Sequence, residues 1–479
     1  GMLGVNWFPK GTLSYTSNML SGPDDLGIKI ISIIEGIDQP IRMTGGSIYQ
    51  AVARCAAHLT RLGVQPGDRV AGVLPNTPEA IIAMLGTSSI GAIWSSCSPD
   101  FGQEGILDRF GQITPKVLFV TTSYIYNGKT IDCRPTITAV LQKLPSVARC
   151  IAVDPIQSGM TVANTIPWAQ FLAEASGAEK NFKPLATSFD HPLYILFSSG
   201  TTGKPKCIVH SVGGSLLQHK KELLLHSDIG PGSRVLYFTT CGWMMWNWMA
   251  SGLSTGASLV LFEGSIIRDN CKVLWRTLEE QGVTCFGTSA KFIATSMKEG
   301  VEPARDFDLT ALKTLLSTGS PLLPEHFSWV YGHVKKDLHL ASISGGTDIV
   351  SCFMLGNPWS PVYSGDIQGP GLGMAVECWD DNGLSLQNAK GELVCIKPFP
   401  AMPIGFWQDE SKEKYRDSYF RYFPQKEVWR HGDFIEINDQ LGITVFGRSD
   451  ATLNPGGVRI GTAEIYGQVV QMDGVLDSL

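Results

Sequence analysis

The chain has 479 residues, in which 38 lysine and arginine side chains face 44 aspartate and glutamate side chains, for a formal charge of −6. Hydrophobic residues make up 43% of the sequence and charged residues 17%, which is typical of a globular protein and excludes disorder over most of the chain. A mild acidic excess without a basic block excludes the electrostatic patch of a protein that binds nucleic acid or an anionic membrane.

Short apolar segments alternate with longer segments of helical period, beginning with residues 69–75, 78–91 and 92–96. That alternation predicts βαβ units and parallel sheets. It recurs along the chain in the segments 116–122, 233–240, 257–264 and 312–322. After about Gly365 the strands become short and alternating, with Gly, Asp and Asn turns between them, which predicts a small antiparallel β subdomain.

Eleven cysteines, an odd number, occur without any C-x-x-C spacing, which favours reduced thiols over a disulfide or zinc framework. Residues 1–18 lack the basic and apolar regions of a signal peptide. No apolar run approaches the ~18 residues that cross a bilayer. We therefore expect a cytoplasmic protein without a membrane partner, and its oligomeric state stays open.

The strongest local signal is a glycine-rich loop after the apolar run 194–197. The loop consists of Ser198, Ser199, Gly200, Thr201, Thr202 and Gly203, and two lysines, Lys204 and Lys206, follow it. Glycines let the backbone approach phosphate oxygens, hydroxyls and N–H groups donate hydrogen bonds, and lysine adds positive charge. The pattern predicts a polyphosphate site, and the alternative is a plain surface turn.

Two other nucleotide motifs are disfavoured. A P-loop NTPase needs G-x-x-x-x-G-K-[ST], but only two residues separate Gly200 from Gly203, and Pro205 stands where the metal-binding hydroxyl belongs. The run 369–373 has the spacing G-x-G-x-G, without the last interval of a dinucleotide fingerprint. We interpret it as a structural turn.

With this loop in place, the sequence resembles the adenylate-forming superfamily of acyl-CoA synthetases, and the resemblance covers nearly the whole chain. Within the superfamily it is most similar to the branch that activates acetoacetate. The segments that carry the resemblance are 195–206, CGWMMWNWM (241–249), SGGTDI (344–349), GLGMAVE (371–377), GELVCIKP (391–398), HGDF (431–434) and 447–466.

The resemblance implies an ATP-dependent ligase. A carboxylate attacks the α-phosphate of ATP, which gives an acyl-adenylate and pyrophosphate, and the thiol of CoA then displaces AMP. ATP, Mg²⁺ and CoA are the implied cofactors, and the partners are small molecules. Two alternatives stay open: a ligase for another short acid such as butyrate or 3-hydroxybutyrate, and a non-catalytic protein that binds a nucleotide or an acyl-adenylate.

Site residues follow from the matching motifs. The loop from Ser198 to Gly203, with Lys206, would hold the β- and γ-phosphates. Thr347, beside Gly346, would donate to the α-phosphate, and Lys206 and Thr347 are the expected catalytic residues. Asp348, where most of the superfamily has Glu, would bind Mg²⁺. The remaining implied nucleotide contacts are Gly319, Ser320 and Pro321 at the adenine, Asp433 at the ribose, Arg448 at the ribose or a phosphate, and Arg459.

The implied acyl pocket has Gly345 where acetyl-specific relatives have a bulky Trp, and the missing indole would leave room for a four-carbon acid. Trp243, Met244 and Met245 match the opposing wall. The alternative is that these are core residues, and for Trp246, Trp248 and Met249 the two interpretations are equally supported.

The fold class implied is α/β, an adenylate-forming enzyme fold with two α/β subdomains and a small β subdomain in one large N-terminal domain. We expect that domain at 1–447, divided at about 1–185, 186–360 and 361–447, and a hinge at 448–450 that contains Asp450. Residues 451–479 would be a remnant of the C-terminal domain. The lysine that relatives carry in that domain has no counterpart, so this chain is expected to adenylate poorly by itself.

Overall fold

The computed structural model describes residues 1–198 and 204–451. Its strands are β1 Thr12–Leu13, β2 Ile28–Ile34, β3 Ile41–Thr44, β4 Arg69–Val73, β5 Ile93–Cys97, β6 Val117–Thr121, β7 Ser123–Tyr126, β8 Lys129–Asp132, β9 Arg149–Val153, β10 Ile166–Pro167, β11 Thr187–Ser188, β12 Pro192–Ser198, β13 Lys206–Ser211, β14 Arg234–Tyr237, β15 Ser258–Glu263, β16 Cys285–Ser289, β17 Thr314–Thr318, β18 His339–Ser342, β19 Ser344–Gly346, β20 Ser351–Leu355, β21 Gly369–Pro370, β22 Val376–Trp379, β23 Ser385–Leu386, β24 Lys390–Cys395, β25 Gly405–Phe406, β26 Trp429–Ile437 and β27 Ile443–Arg448.

The α-helices of the same ranges are α1 Tyr15–Met19, α2 Gly45–Arg61, α3 Pro78–Ser89, α4 Gly102–Ile113, α5 Arg134–Lys143, α6 Trp168–Ala173, α7 Val212–Lys221, α8 Met244–Ala250, α9 Arg268–Cys271, α10 Val273–Gln281, α11 Ala290–Lys298, α12 Pro303–Asp306, α13 Pro324–Trp329 and α14 Glu413–Tyr419. A π-helical turn, Glu222–His226, continues α7, and a 3₁₀ turn, Thr347–Ile349, follows β19.

The three largest sheets, of eight, seven and five strands, organise the described chain. The first sheet has the strand order β10-β9-β6-β4-β5-β12-β13-β25 and is parallel up to β12, after which β13 and β25 are antiparallel. The second sheet has the order β18-β17-β16-β14-β15-β2-β3 and is parallel except for β3 at its edge. A third, antiparallel sheet, β23-β22-β24-β26-β27, follows in the later part of the chain.

Alternate residues of the parallel strands enter different cores. Val70 of β4 and Tyr194 of β12 pack into the same core as Val235 of β14, so this core lies between the first and second sheets. Ala71 and Ile195 point the other way, into a core covered by α4 and α5. The second sheet is likewise covered on its far face by α10, α11 and α13. The result is alternating layers of helix and sheet, as expected for parallel sheets buried on both faces.

Helix α3 shows why the central layer is apolar on every side. Its sequence, PEAIIAMLGTSS, has no polar stripe, and all its residues except Glu79 are buried. A helix that is apolar all round belongs in the interior of a protein. Pro78 occupies its first turn, where a missing N–H costs nothing.

The α/β fold class expected from the sequence is confirmed, with the antiparallel sheet in the later part of the chain. Each of the first two sheets takes strands from both sides of residue 185. Strands β12 and β13 complete the first sheet, while β2 and β3 join the second. The domain boundaries themselves remain a prediction. Within the described ranges, no helix is both long and apolar enough to cross a membrane.

Two helical glycines provide a test of packing in these layers. A Cβ on Gly86 of α3 would lie 2.5 Å from Sγ of Cys55 on α2, whereas a Cβ on Gly111 of α4 would meet nothing within 4 Å. We expect Gly86→Ala to lower the free energy of unfolding by about 1–3 kcal/mol through overpacking. Gly111→Ala should raise it by about 0.5–1 kcal/mol through helix propensity. Denaturant unfolding measures both, and equal shifts for the two variants would contradict this packing.

Candidate active site

The candidate site lies where parallel strands of both sheets end. The chain leaves β12 at Ser198, β14 shortly before Trp243, and β17 and β18 before Gly319 and Ser344. The carboxyl ends of parallel strands meet at one edge of a sheet, and ligands of open α/β folds bind there. The topology therefore collects loops that are far apart in sequence at the carboxyl edges of these two sheets.

The glycine-rich loop connects an antiparallel pair. Ser198 is the last residue of β12 and pairs in register with Lys206, the first residue of β13. Lys204 is exposed and Lys206 is half-buried. The loop residues Ser199, Gly200, Thr201, Thr202 and Gly203 lie outside the described residues. The stem is held from α4, since Nε2 of Gln112 donates to the carbonyl oxygen of Pro205 over 3.0 Å.

Lys206 and Asp348 meet at one aromatic side chain. The hydroxyl of Tyr419 donates a short hydrogen bond to Oδ1 of Asp348. The ammonium of Lys206 lies 5.3 Å from the centre of the Tyr419 ring, within cation–π range. The structure thus brings together two of the predicted site residues and adds a third that the sequence analysis missed.

Asp348 is suited to a hard cation. Burial raises the pKa of its carboxyl, but the charge of His431, the Tyr419 hydrogen bond and the charge of Lys206 outweigh burial and lower the pKa below its ordinary value. The carboxylate is therefore ionised near neutral pH. Within residues 1–198 and 204–451, no group of three or more His, Cys, Asp or Glu side chains is arranged to hold a metal ion. A single carboxylate that shares Mg²⁺ with substrate phosphates fits this donor set.

The turn that carries Thr347 is fixed from behind by buried polar groups. Val350, which ends the turn, has a positive φ of 52°, and Nε2 of His219 donates to its carbonyl oxygen over 2.6 Å. The next residue, Ser351, donates a short hydrogen bond to the fully buried Glu222. A β-branched residue at positive φ is strained, so these contacts hold the backbone in place.

Glu222 is the centre of that support. Its carboxylate also accepts from Nε1 of Trp248 and from Nε2 of Gln218, each over 2.9 Å. A buried carboxylate costs free energy unless donors surround it, and here three side chains supply them. The π-helical turn that begins at Glu222 therefore anchors the loop of Thr347 to helix α8.

Asp433 and Arg448 form a second charged pair at the edge of the third sheet. They are register partners on β26 and β27, and Nη1 of Arg448 donates to Oδ1 of Asp433 over 3.0 Å. Asp433 is buried, while the Arg448 side chain is 53% exposed. Nε2 of His431 lies 3.7 Å from Oδ2 of Asp433, and a Cβ on Gly346 would lie 3.2 Å from that same nitrogen. His431 therefore links the Asp433 pair to the loop of Asp348.

The other predicted nucleotide contacts are less enclosed. Gly319 and Ser320 are exposed and Pro321 is half-buried, directly after β17. Asp450 is exposed, and one of its oxygens lies 4.0 Å from Nε of Arg448. Arg459 lies outside the described residues.

The predicted acyl wall divides into an exposed and a buried part. Trp243 is 58% exposed and Met244 half-buried, whereas Met245 is buried in the central core. The same core encloses Trp246, Trp248 and Met249. The indole of Trp246 donates to Oδ1 of Asn76 over 3.0 Å. Of the two interpretations of these last three residues, the structure favours the core.

Gly345 has a backbone reason to be glycine. It lies on β19, which pairs with β20 through an irregular register at Ser344 and Gly345. A Cβ there would lie 2.0 Å from the carbonyl oxygen of Ser351 and 2.5 Å from Cα of Cys352. A side chain at this position has to displace the β19–β20 hairpin before it can occupy any pocket.

Gly345→Ala should therefore act on stability as well as on ligand choice. We expect it to lower the free energy of unfolding by about 1–3 kcal/mol, because backbone atoms cannot yield as the end of a side chain can. The control is Gly230→Ala, where a Cβ would meet nothing within 4 Å. Thermal unfolding of both variants measures the effect. A Gly345→Ala protein as stable as the parent would show that the hairpin yields without cost.

His210 of β13 makes the stability of this region depend on pH. Burial lowers its pKa to about 3, against the smaller opposing influences of the Thr347 backbone and the charge of Asp348. The unfolded chain binds this proton near pH 6.5, so stability falls as the pH drops from about 6.5 toward 3. His210→Gln should reduce that slope by up to about 1.4 kcal/mol per pH unit. Urea unfolding at several pH values checks this, and an unchanged slope would contradict it.

Sequence reasoning missed Tyr419, His431 and Glu222. Tyr419 lies in the aromatic-rich segment 415–423, between the motifs GELVCIKP (391–398) and HGDF (431–434). Nothing in the spacing of this segment distinguishes Tyr419 from its other tyrosines. His431 is the first residue of the HGDF motif, but the motif match gives a role only to Asp433. Glu222 follows two lysines and looks like a solvated charge until the fold buries it.

Comparison with protein families gives a match to the family described as AMP-binding enzyme over residues 29–403. Acetoacetyl-coenzyme A synthetase of Rhizobium meliloti (strain 1021) is 51% identical over 483 residues, which span 100% of this chain and 73% of that protein. Acetoacetyl-CoA synthetase of Mus musculus is 46% identical over 482 residues, covering 99% of this chain and 71% of the relative.

A solved structure is also similar. Acetoacetyl-CoA Synthetase from Streptomyces lividans superposes with a TM-score of 0.93 at 42% sequence identity. The match covers 100% of this chain and 73% of that one.

Proposed function

The chain belongs to the AMP-binding enzyme family and, within it, to the acetoacetyl-CoA synthetases. We propose that the residues of the candidate site described above form the active site of an ATP-dependent acetoacetate–CoA ligase. Such an enzyme joins acetoacetate to the α-phosphate of ATP, releases pyrophosphate, and transfers the acyl group to the thiol of CoA. One observation supports this assignment most directly. Lys206 and Asp348 both contact the side chain of Tyr419, beside the loop of Thr347.

The first step brings two anions together, so the site has to supply positive charge and hydrogen-bond donors in fixed positions. We assign Lys206, with the glycine-rich loop from Ser198 to Gly203, to the β- and γ-phosphates. Thr347 is assigned to the α-phosphate. Its turn is held by His219 and Glu222 from behind, which keeps a donor in place without reorganisation. These assignments rest on the motif match and on this support.

We assign the nucleoside to three other segments. Asp433 is buried and accepts a hydrogen bond from Arg448, and a carboxylate of that kind also accepts hydrogen bonds from vicinal hydroxyls such as those of ribose. Gly319, Ser320 and Pro321 are assigned to the adenine on the motif match. Arg448 and Arg459 complete the proposed nucleotide contacts, with Asp450 as the hinge residue.

Mg²⁺ is proposed as the cation of the bound nucleotide, with Asp348 as its protein ligand. When bound there, the ion neutralises phosphate charge during the transfer. Asp348 itself is ionised and oriented by Tyr419, which supports the assignment.

For the acid, we assign the exposed Trp243 and the adjoining Met244 and Met245 to one wall and Gly345 to the other. Glycine at 345 leaves the backbone of the β19–β20 hairpin as that wall, with no side chain over it. The eleven cysteines are buried and unpaired, which supports our proposal of a reducing compartment, the cytoplasm.

The choice of acid is tested with stable sulfamoyl analogues of the acyl-adenylates. Calorimetric titration of the 479-residue chain should show that the acetoacetyl analogue binds about tenfold more tightly than the acetyl analogue, since pocket volume discriminates short acyl groups. A preference for the butyryl analogue would favour a ligase for another short acid. Tighter binding of the acetyl analogue would contradict the proposed wall at Gly345.

A separate variant tests the assignment of the nucleotide. Asp433→Asn keeps the shape of the side chain but removes its charge, so it should lower the affinity for all the analogues by the same factor of about ten. Asp439→Asn, at an exposed position in the turn after β26, is the matched control and should leave their affinity unchanged. A loss confined to one acyl group would show that Asp433 does not contact the shared nucleotide.

A further inference from the structure

Tyr419 is a buried aromatic residue beside the proposed site, and no contact with substrate is assigned to it above. It is the last residue of α14 and is 3% exposed. Its hydroxyl donates to Oδ1 of Asp348, and the face of its ring lies 5.3 Å from the Lys206 ammonium. One side chain therefore touches the two residues whose charges the proposed phosphate site needs.

The ring of Tyr419 is held in one orientation. It stacks on Trp429, with ring centres 3.9 Å apart and planes 13° from parallel. Phe406 meets it edge-on from another side at 5.9 Å. Trp429 opens β26, the strand that also carries Asp433. Since stacking on a buried indole prevents the ring from turning, the hydroxyl has a fixed position relative to β25 and β26.

The Tyr419 hydroxyl is the donor of the hydrogen bond to Asp348, and the carboxylate oxygen beside it accepts.

We propose that Tyr419 is a positioning residue for the nucleotide cation: its hydroxyl engages Oδ1 of Asp348, which presents Oδ2 to the cation, while its ring face keeps the ammonium of Lys206 alongside. A carboxylate with one oxygen already engaged has lost most of its rotational freedom, so it pays less entropy when it binds an ion. Hydrogen bonds to the side chains that ligate a metal commonly orient those side chains. This inference rests on the proposed function of the site.

The test compares two tyrosines of the same helix. Tyr419→Phe removes the donor but keeps the ring for Lys206 and Trp429. Tyr415→Phe is the matched control, because the Tyr415 hydroxyl is buried without a hydrogen-bond partner among the described residues, in the same aromatic cluster. Mn²⁺ is the probe, and its binding to the full chain with ATP is followed by electron paramagnetic resonance.

Tyr419→Phe should raise the dissociation constant of Mn²⁺ in the presence of ATP about tenfold, the size expected for the loss of one hydrogen bond to a charged group. The affinity for metal-free ATP, measured by calorimetry, should not change, since the ring still holds Lys206. Tyr415→Phe should leave both unchanged. In an Asp348→Asn background, Tyr419→Phe should have no further effect, because the two residues act as one unit.

Three results overturn the proposal. The Tyr419→Phe variant could bind Mn²⁺ as tightly as the unmodified chain, or the dissociation constant of Mn²⁺ could rise by the same factor in both tyrosine variants. The affinity for metal-free ATP could also fall in parallel with that for Mn²⁺, which would mean a general structural role. Failure of the unmodified chain to bind Mn²⁺ with ATP is a different outcome, because it would overturn the proposed nucleotide site itself.

Discussion

The proposed site depends on one electrostatic constraint: a carboxylate and an ammonium have to be held close to each other in a partly buried place without cancelling each other. Asp348 meets this with a lowered pKa, although burial alone would raise it. Lys206 meets it by lying against the faces of Tyr419 and Phe406. An aromatic face attracts a cation without neutralising it, so the charge remains available to a ligand. The surrounding strands serve to hold these groups at a fixed spacing.

Two supports of different chemistry provide that spacing. Behind Thr347 and Asp348 the support is polar, with His219 and Glu222 hydrogen-bonded to the segment 350–352. On the other side it is aromatic, with Tyr419 stacked on Trp429. Hydrogen bonds fix direction, whereas stacked rings fix distance and exclude water. Together these two supports fix the geometry of the loop before any ligand binds, as electrostatic catalysis requires.

The sequence was informative where chemistry is local. The alternation of apolar runs with helical segments predicted the α/β class, because period and composition are properties of neighbouring residues. The glycine-rich loop stood out for the same reason, whereas Thr347 and Asp348 were identified only through the resemblance of their motif to the family. Tyr419 and Glu222 did not stand out, since their roles come from contacts with residues more than 70 positions away. The steric demand at Gly345 was equally hidden, because it arises from a strand partner rather than from the motif.

The interleaving of the two large sheets along the chain has a consequence for how the protein is made. Strand β2, near residue 30, pairs with β15, near residue 260, and the first sheet is closed at its edge by β25, Gly405–Phe406. Neither half of the chain contains all the strands of either large sheet. A growing polypeptide therefore exposes unpaired strand edges and apolar faces until about residue 406 has left the ribosome. High contact order of this kind slows folding and exposes intermediates to aggregation, so we expect the period of synthesis to be when this chain is most prone to aggregate.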